Sequence, residues 1–156
     1  MKRRKICFAA SSGGHLEEVL LLRSMLQEEC DSVILTEKTS YAIHAGGAKI
    51  YGLHPVNRKE KTWLPWMFVN TWVSFRVFLK EKPDAVISTG ALAVIPVCLF
   101  AKLFRKKLIF METFAVITEP SATGRFLYRF ADRFYIQWES LKESYPGAVY
   151  LGGIYK

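Results

Sequence analysis

The chain has 156 residues, of which 51% are apolar and 14% aromatic, and it carries a net charge of +8. That length accommodates one hydrophobic core rather than two domains, and so apolar a composition excludes a disordered chain. Cys7, Cys30 and Cys98 show neither CxxC nor metal-ligand spacing, so they are expected to be reduced packing residues of a cytoplasmic protein, with no metal bound.

In chain order, the basic run Lys2-Arg3-Arg4-Lys5 precedes an apolar stretch only about half as long as a signal peptide requires, so no secretion signal is expected. A strand at 5–10 then meets Ser11-Ser12-Gly13-Gly14-His15-Leu16, which opens a leucine-rich helix at 15–29. A strand, a tight glycine turn and a helix start make a seat for phosphate, because the backbone N–H groups and the positive helix end face one space. His15 adds a group able to exchange a proton near neutral pH beside a phosphorylated substrate.

Further strands are predicted at 32–36, 48–53, 84–88, 107–112, 133–136 and 148–151, and helices at 62–81, 91–104, 123–131 and 138–144. A short helix at 40–45 fits between the second and third strands. This alternation predicts a single α/β domain over 1–156, with a Rossmann-like, doubly wound, mainly parallel sheet. In such a sheet the first and fourth strands lie side by side where the winding reverses, and their carboxyl-end turns open into one crevice. The turn after the fourth strand is Ser88-Thr89-Gly90-Ala91, again glycine at a strand-to-helix junction, and the fifth strand ends at Glu112-Thr113. The two glycine turns and the carboxylate of Glu112 are therefore expected along one rim.

The segment 62–80 is apolar around nearly its whole circumference, with Asn70, Thr71 and Ser74 as a narrow polar stripe. One side can pack on the sheet and the other then needs a bilayer or a protein. A transmembrane span is disfavoured, since Asn70 and Arg76 lie inside it and a single crossing would place strands of one sheet on opposite sides of the membrane. Trp63, Trp66, Trp72 and Arg76 are instead expected to face an anionic membrane surface from a helix lying in the interface, the alternative being a large buried core helix. Residues 58–107 hold ten Lys or Arg against three acids, and Lys102, Arg105, Lys106 and Lys107 are expected to join that footprint. The same aromatic segment lacks the spacing of a nucleic-acid stacking platform, so no nucleic-acid partner is expected.

The motifs SSGGHLEEVL (11–20), ISTGALAVIP (87–96), IFMETFAVITEPSATGR (109–125) and YLGGIY (150–155) carry a resemblance over the whole chain. The sequence resembles the PssD-type polysaccharide biosynthesis proteins of bacteria. It also resembles the membrane-recruiting subunit of the split N-acetylglucosaminyltransferase of dolichol-linked oligosaccharide assembly. The resemblance implies the N-terminal, acceptor-binding half of a GT-B glycosyltransferase, with the nucleotide-sugar donor bound by a second polypeptide and no cofactor. The acceptor implied is a polyprenyl-diphosphate-linked sugar, and the location is the cytoplasmic, inner face of the cell membrane.

A more distant similarity is to the peptidoglycan enzyme that glycosylates an undecaprenyl-diphosphate sugar. It implies that Gly13, Gly14 and His15 contact the diphosphate or the acceptor hydroxyl, that Thr89 and Gly90 form the second loop, and that Glu112 is the acid of the pair; Ser11, Ser12 and Thr113 are expected among the acceptor contacts, and His15 and Glu112 are the expected catalytic residues. The histidine that precedes the acid in that enzyme is Met111 here, which throws the weight onto His15. Eukaryotic relatives carry an N-terminal transmembrane helix that this sequence does not display, leaving the aromatic helix as the expected attachment. Two other readings are a non-catalytic anchor for the partner and a dinucleotide-binding module in which Glu37 holds a ribose. The second is opposed by Leu16, which fills the last glycine position of a G-x-G-x-x-G loop.

Overall fold

The computed structural model describes residues 3–155; Lys2, at the head of the basic run, lies outside the described residues. Seven parallel strands form one sheet in the order β3-β2-β1-β4-β5-β6-β7. They are β1 (Arg4–Ala10), β2 (Cys30–Glu37), β3 (Lys49–Leu53), β4 (Ala85–Gly90), β5 (Lys107–Met111), β6 (Arg133–Ile136) and β7 (Val149–Tyr150). The helices are α1 (Gly14–Leu26), α2 (Trp63–Glu81), α3 (Ile95–Leu103) and α4 (Ala122–Leu127). The expected Rossmann-like winding is therefore present, with β1 beside β4 where the order reverses.

Both faces of the sheet are covered, which is why its strands read as apolar runs rather than alternations. In β1, Phe8 and Ala10 join Leu16 and Val19 of α1 and Ile34 of β2 on one face. Cys7 and Ala9 join Val77 and Phe78 of α2 and Val97 and Cys98 of α3 on the other. The three cysteines are free and buried, and burial pushes the Cys98 thiol up to about 12.

Three expected elements change form. Residues 40–45 are not helical: Tyr41 turns back so that its hydroxyl oxygen accepts the Gly13 N–H at 3.2 Å, and Gly46 and Gly47 adopt left-handed φ of 48° and 82°. The helix expected at 91–104 begins as a 3₁₀ turn, Leu92–Val94, because Gly90 (φ 108°) and Ala91 (φ 86°) both hold positive φ ahead of it. The helix expected at 138–144 is only a 3₁₀ turn, Glu139–Lys142.

At the amino edge of the sheet, Glu81 ends α2 and ties three elements together. It is 5% exposed and accepts from Tyr51 Oη at 2.5 Å and Lys5 Nζ at 3.0 Å, with Lys49 Nζ at 3.4 Å. The Tyr51 hydroxyl bond, aided by the two lysines and opposed by burial, holds the Glu81 carboxyl down to about 2. A carboxyl depressed in the folded state contributes stability above its unfolded pKa of about 4.5 and loses it as pH falls towards 2. Glu81→Gln is expected to cost on the order of 2 kcal/mol near neutral pH. Its stability should also fall less steeply than the parent's between about pH 4.5 and 2. Urea unfolding at several pH values measures both effects, and parallel acid limbs in the two proteins would contradict them.

Candidate functional site

The two glycine turns meet. β1 and β4 run in register from Ile6 opposite Ala85, and a shift after Ala9 brings Ala10 opposite Gly90. Gly13 holds a left-handed φ of 76° as N-cap of α1, with no side-chain cap. Its carbonyl accepts from Leu16 N–H at 2.9 Å and from Glu17 N–H at 3.1 Å. With the Gly13 N–H donated to Tyr41 and no side-chain cap, the Gly14 and His15 N–H groups are the ones the first turn leaves for an external anion.

A reciprocal pair of hydrogen bonds closes the seam between the turns. The Thr89 hydroxyl donates to the His15 carbonyl at 2.8 Å, and His15 Nδ1 lies 2.9 Å from the Thr89 carbonyl. A carbonyl only accepts, so in the neutral ring Nδ1 carries the proton and Nε2 keeps its lone pair. The imidazole lies over Gly90: a Cβ there would stand 3.8 Å from His15 Cε1 and 3.3 Å from Phe110 Cζ. Glycine at 90 thus meets both the positive φ and the close approach of the ring.

Gly13 and Gly14 are exposed and His15 is half-buried, so these three face outward at the mouth of the crevice. The other expected contacts are engaged within the chain. The Ser12 N–H and hydroxyl reach Glu37 Oε2 at 3.3 and 3.2 Å, while Ser11 Oγ donates to the Ser12 carbonyl at 3.4 Å. The Thr89 side chain is buried under its bond to His15, and the Thr113 hydroxyl donates to Glu18 at 2.8 Å. These hydroxyls shape the loops from behind.

Glu112 is not on the rim. It is 1% exposed and turned into the interior, where Oε2 accepts from Tyr145 Oη at 2.7 Å and from Ser121 N–H at 3.3 Å. Gly124 packs so closely that a Cβ there would fall 2.1 Å from Glu112 Oε2. The physical reason is that β5 ends at Met111, and the alternation of a strand sends the next side chain towards α4 rather than the crevice. Glu37, weighed above as a ribose ligand, is spent on Ser12 and on the Val56 N–H at 3.3 Å.

Sequence reasoning missed Tyr41 and Glu18. Tyr41 lines a hollow of about 220 Å³ beside the glycine turn with Gly13, Leu16, Ile43 and His44, and no motif marked it. Glu18 does lie in the SSGGHLEEVL motif, but two adjacent glutamates left undecided which one turns inward.

The aromatic helix is turned inside out relative to an ordinary amphipathic helix. Of the polar stripe, Asn70 and Ser74 are fully buried and Thr71 is half-buried, and Asn70 grips the backbone of His54 through both its amide atoms at 2.7 and 2.8 Å. Phe68 (70% exposed), Trp72 (61%) and Leu103 (72%) of the neighbouring α3 are outside, with Arg76 exposed near them. A buried core helix is thereby excluded. Trp63 is half-buried, and Trp66 stacks on the His54 ring at 3.4 Å rather than standing free. The basic cluster at the end of α3 is partly paired, with Lys102 and Lys107 sharing Asp132 at 2.8 and 3.5 Å and Lys106 reaching Asp84 at 3.6 Å. Among the described residues no helix is long and apolar enough to cross a membrane.

Comparison with solved structures returns the same architecture. MurG of Acinetobacter baumannii overlays with a TM-score of 0.74 at 21% identity, covering 88% of this chain and 42% of that one. The UDP-N-acetylglucosamine 2-epimerase of Rickettsia bellii overlays with a TM-score of 0.72 at 14% identity, covering 99% and 46%. The chain spans less than half the length of either, and at these identities the likeness is one of fold. Among curated proteins, the UDP-N-acetylglucosamine transferase subunit ALG14 of Mus musculus is 30% identical, over 96% of this chain and 82% of its own length. The subunit of the same name from Homo sapiens is 28% identical over the same shares. The family described as "Oligosaccharide biosynthesis protein Alg14 like" matches residues 56–154. With that match and the near full-length similarity to the mouse subunit, the chain belongs to the Alg14-like family of oligosaccharide biosynthesis proteins.

Proposed function

We propose that this chain is the acceptor-binding, membrane-associated subunit of a two-chain glycosyltransferase in surface polysaccharide biosynthesis. The sugar is transferred from a nucleotide donor held by a partner subunit to a polyprenyl-diphosphate-linked acceptor. The observation that carries this reading is the seam between the two glycine turns, where α1 offers an N-terminus without a side-chain cap and His15 Nδ1 lies 2.9 Å from the Thr89 carbonyl beside it. The diphosphate of the acceptor sits against the Gly13-Gly14 turn, drawn by backbone N–H groups and the positive end of α1. The acceptor hydroxyl then lies within reach of His15 Nε2, which takes its proton as the hydroxyl attacks the anomeric carbon of the donor sugar. The Thr89 carbonyl fixes the ring's tautomer and orients the imidazolium that forms. The nucleotide diphosphate leaves on the partner's side of the cleft, so the second subunit completes the reaction centre.

The names of the relatives support the transferase-subunit part of this reading, since each is called a UDP-N-acetylglucosamine transferase subunit. The inverted helix supports the membrane part. Phe68, Trp72, Leu79 and Leu103 lie outside, with aromatic packing from Trp72 to Phe75 (6.1 Å) and on to Phe100 (5.4 Å) giving the face a rigid backing. Amphipathic aromatics at headgroup depth beside Arg76 and Lys80 suit the inner leaflet of the cell membrane.

In the reconstituted pair, His15→Ala is expected to lower kcat by roughly 10²-fold or more, the ordinary worth of a general base, with the KM for the nucleotide sugar little changed. Transfer at the parental rate would remove His15 from the reaction. Full activity of the partner alone in detergent would reduce this chain to an anchor.

Phe68→Ser with Trp72→Ser is expected to weaken binding to vesicles containing phosphatidylglycerol by more than tenfold, from the apolar surface no longer buried. Co-sedimentation measures it, and both side chains are exposed enough for the fold to be kept. Unchanged sedimentation would show that this face meets a protein instead.

A further inference from the structure

A buried carboxylate and a buried amide join three segments to α1. Glu18 lies three residues after His15, one turn along the same side of the helix, and is 2% exposed. Its Oε1 accepts from the Thr113 hydroxyl at 2.8 Å and the Phe114 N–H at 2.9 Å, and its Oε2 accepts from Gln137 Nε2 at 3.0 Å. Gln137 is 1% exposed, donates also to the Glu112 carbonyl at 3.1 Å, and accepts the Ile154 N–H at 2.8 Å. Glu18 thus fastens the turn after β5 and the residue after β6 to α1, and Gln137 carries the connection on to the segment after β7. Each bond to Glu18 is charge-assisted and shielded from water, the setting in which such bonds are strongest and most exacting in geometry.

An apolar side chain would fill this position at less desolvation cost, so the carboxylate is explained by what it orients rather than by packing. What it orients is the first half of α1. On one side the helix is tied to β4 through His15 and Thr89; on the other it is tied to β5 and β6 through Glu18. With both ties in place the helix cannot rotate, and the ring one turn before Glu18 keeps its place over Gly90. The segment 152–154 is fastened from two directions, because Gly153 leaves no room for a Cβ beside Phe114, where one would fall 2.6 Å from the ring.

We propose that Glu18 is a positioning residue for His15: it fixes the rotation of α1, and Gln137 extends the same clamp to the C-terminal segment, so that a displacement of residues 152–154 is felt at the His15 ring. The kinetic consequence rests on the reading of His15 given above; the geometric consequence does not.

The test uses the full chain, alone and in the reconstituted pair, with Glu18→Ala, Glu18→Gln and Gln137→Leu. Ring ¹⁵N spectra of the chain alone are expected to show His15 as the Nδ1-protonated tautomer in the parent. The Glu18→Ala ring should average between tautomers, with Glu18→Gln intermediate, since glutamine still accepts from Thr113 and Phe114. Gln137→Leu, which leaves Thr113 and Phe114 on Glu18, should shift the same resonances in the same direction and is the variant to read if Glu18→Ala does not fold. In the pair, Glu18→Ala is expected to lower kcat by about 10- to 100-fold, the cost of a misplaced catalytic group, with the nucleotide-sugar KM within about twofold. Adding it to His15→Ala should cost nothing further, because the two residues act through one group. Folded variants with an unaltered His15 spectrum, or losses that multiply in the double variant, would overturn the proposal. If the parental pair transfers no sugar while the spectra respond as described, the clamp stands and the transferase reading falls.

Discussion

In a parallel sheet every strand delivers its following turn to the same edge, but only at one point do two neighbouring turns lead their helices to opposite faces. Here that point is the β1–β4 pair, with α1 on one face and α3 on the other. The bonds between His15 and Thr89 hold the two turns together. Everything said about the site depends on this junction: the tautomer of His15, the approach of its ring to Gly90, and the direction of the uncapped end of α1.

A second constraint is polarity in unexpected places. The helix that looks most apolar buries Asn70 and Ser74 and leaves Phe68 and Trp72 exposed, because Asn70 satisfies both the N–H and the carbonyl of His54. A buried backbone segment left unpaired would cost more than a phenylalanine exposed on one face. The chain has in effect exchanged an exposed apolar surface for a satisfied connection between β3 and α2.

Much of this was legible in the sequence. The β-branched runs and the glycine junctions gave all seven strands and the winding reversal, since a strand buried on both faces needs apolar side chains at consecutive positions. The loop pair was found for the same reason: glycine at 13 and 90 answers a positive φ that few other residues accept. Glu112 was misplaced because strand alternation past the end of β5 depends on where pairing stops, which sequence spacing leaves open by a residue. The 40–45 segment failed as a helix because its order comes from a tertiary bond, Tyr41 to the Gly13 N–H, with no local signature. Glu18 was hidden for the complementary reason, as its three donors come from residues far along the chain. Membership of the Alg14-like family places the chain among oligosaccharide biosynthesis proteins, and its mouse relative is named a transferase subunit.

Amide chemical-shift mapping with a short-chain polyprenyl diphosphate tests the central claim most directly, because it reads the seat of the diphosphate without requiring the partner. Shifts that saturate together at Gly13, Gly14, His15, Gly90 and Ala91 are the predicted result. A ligand that perturbs the outer face of α2 and leaves these five amides unmoved would contradict the account.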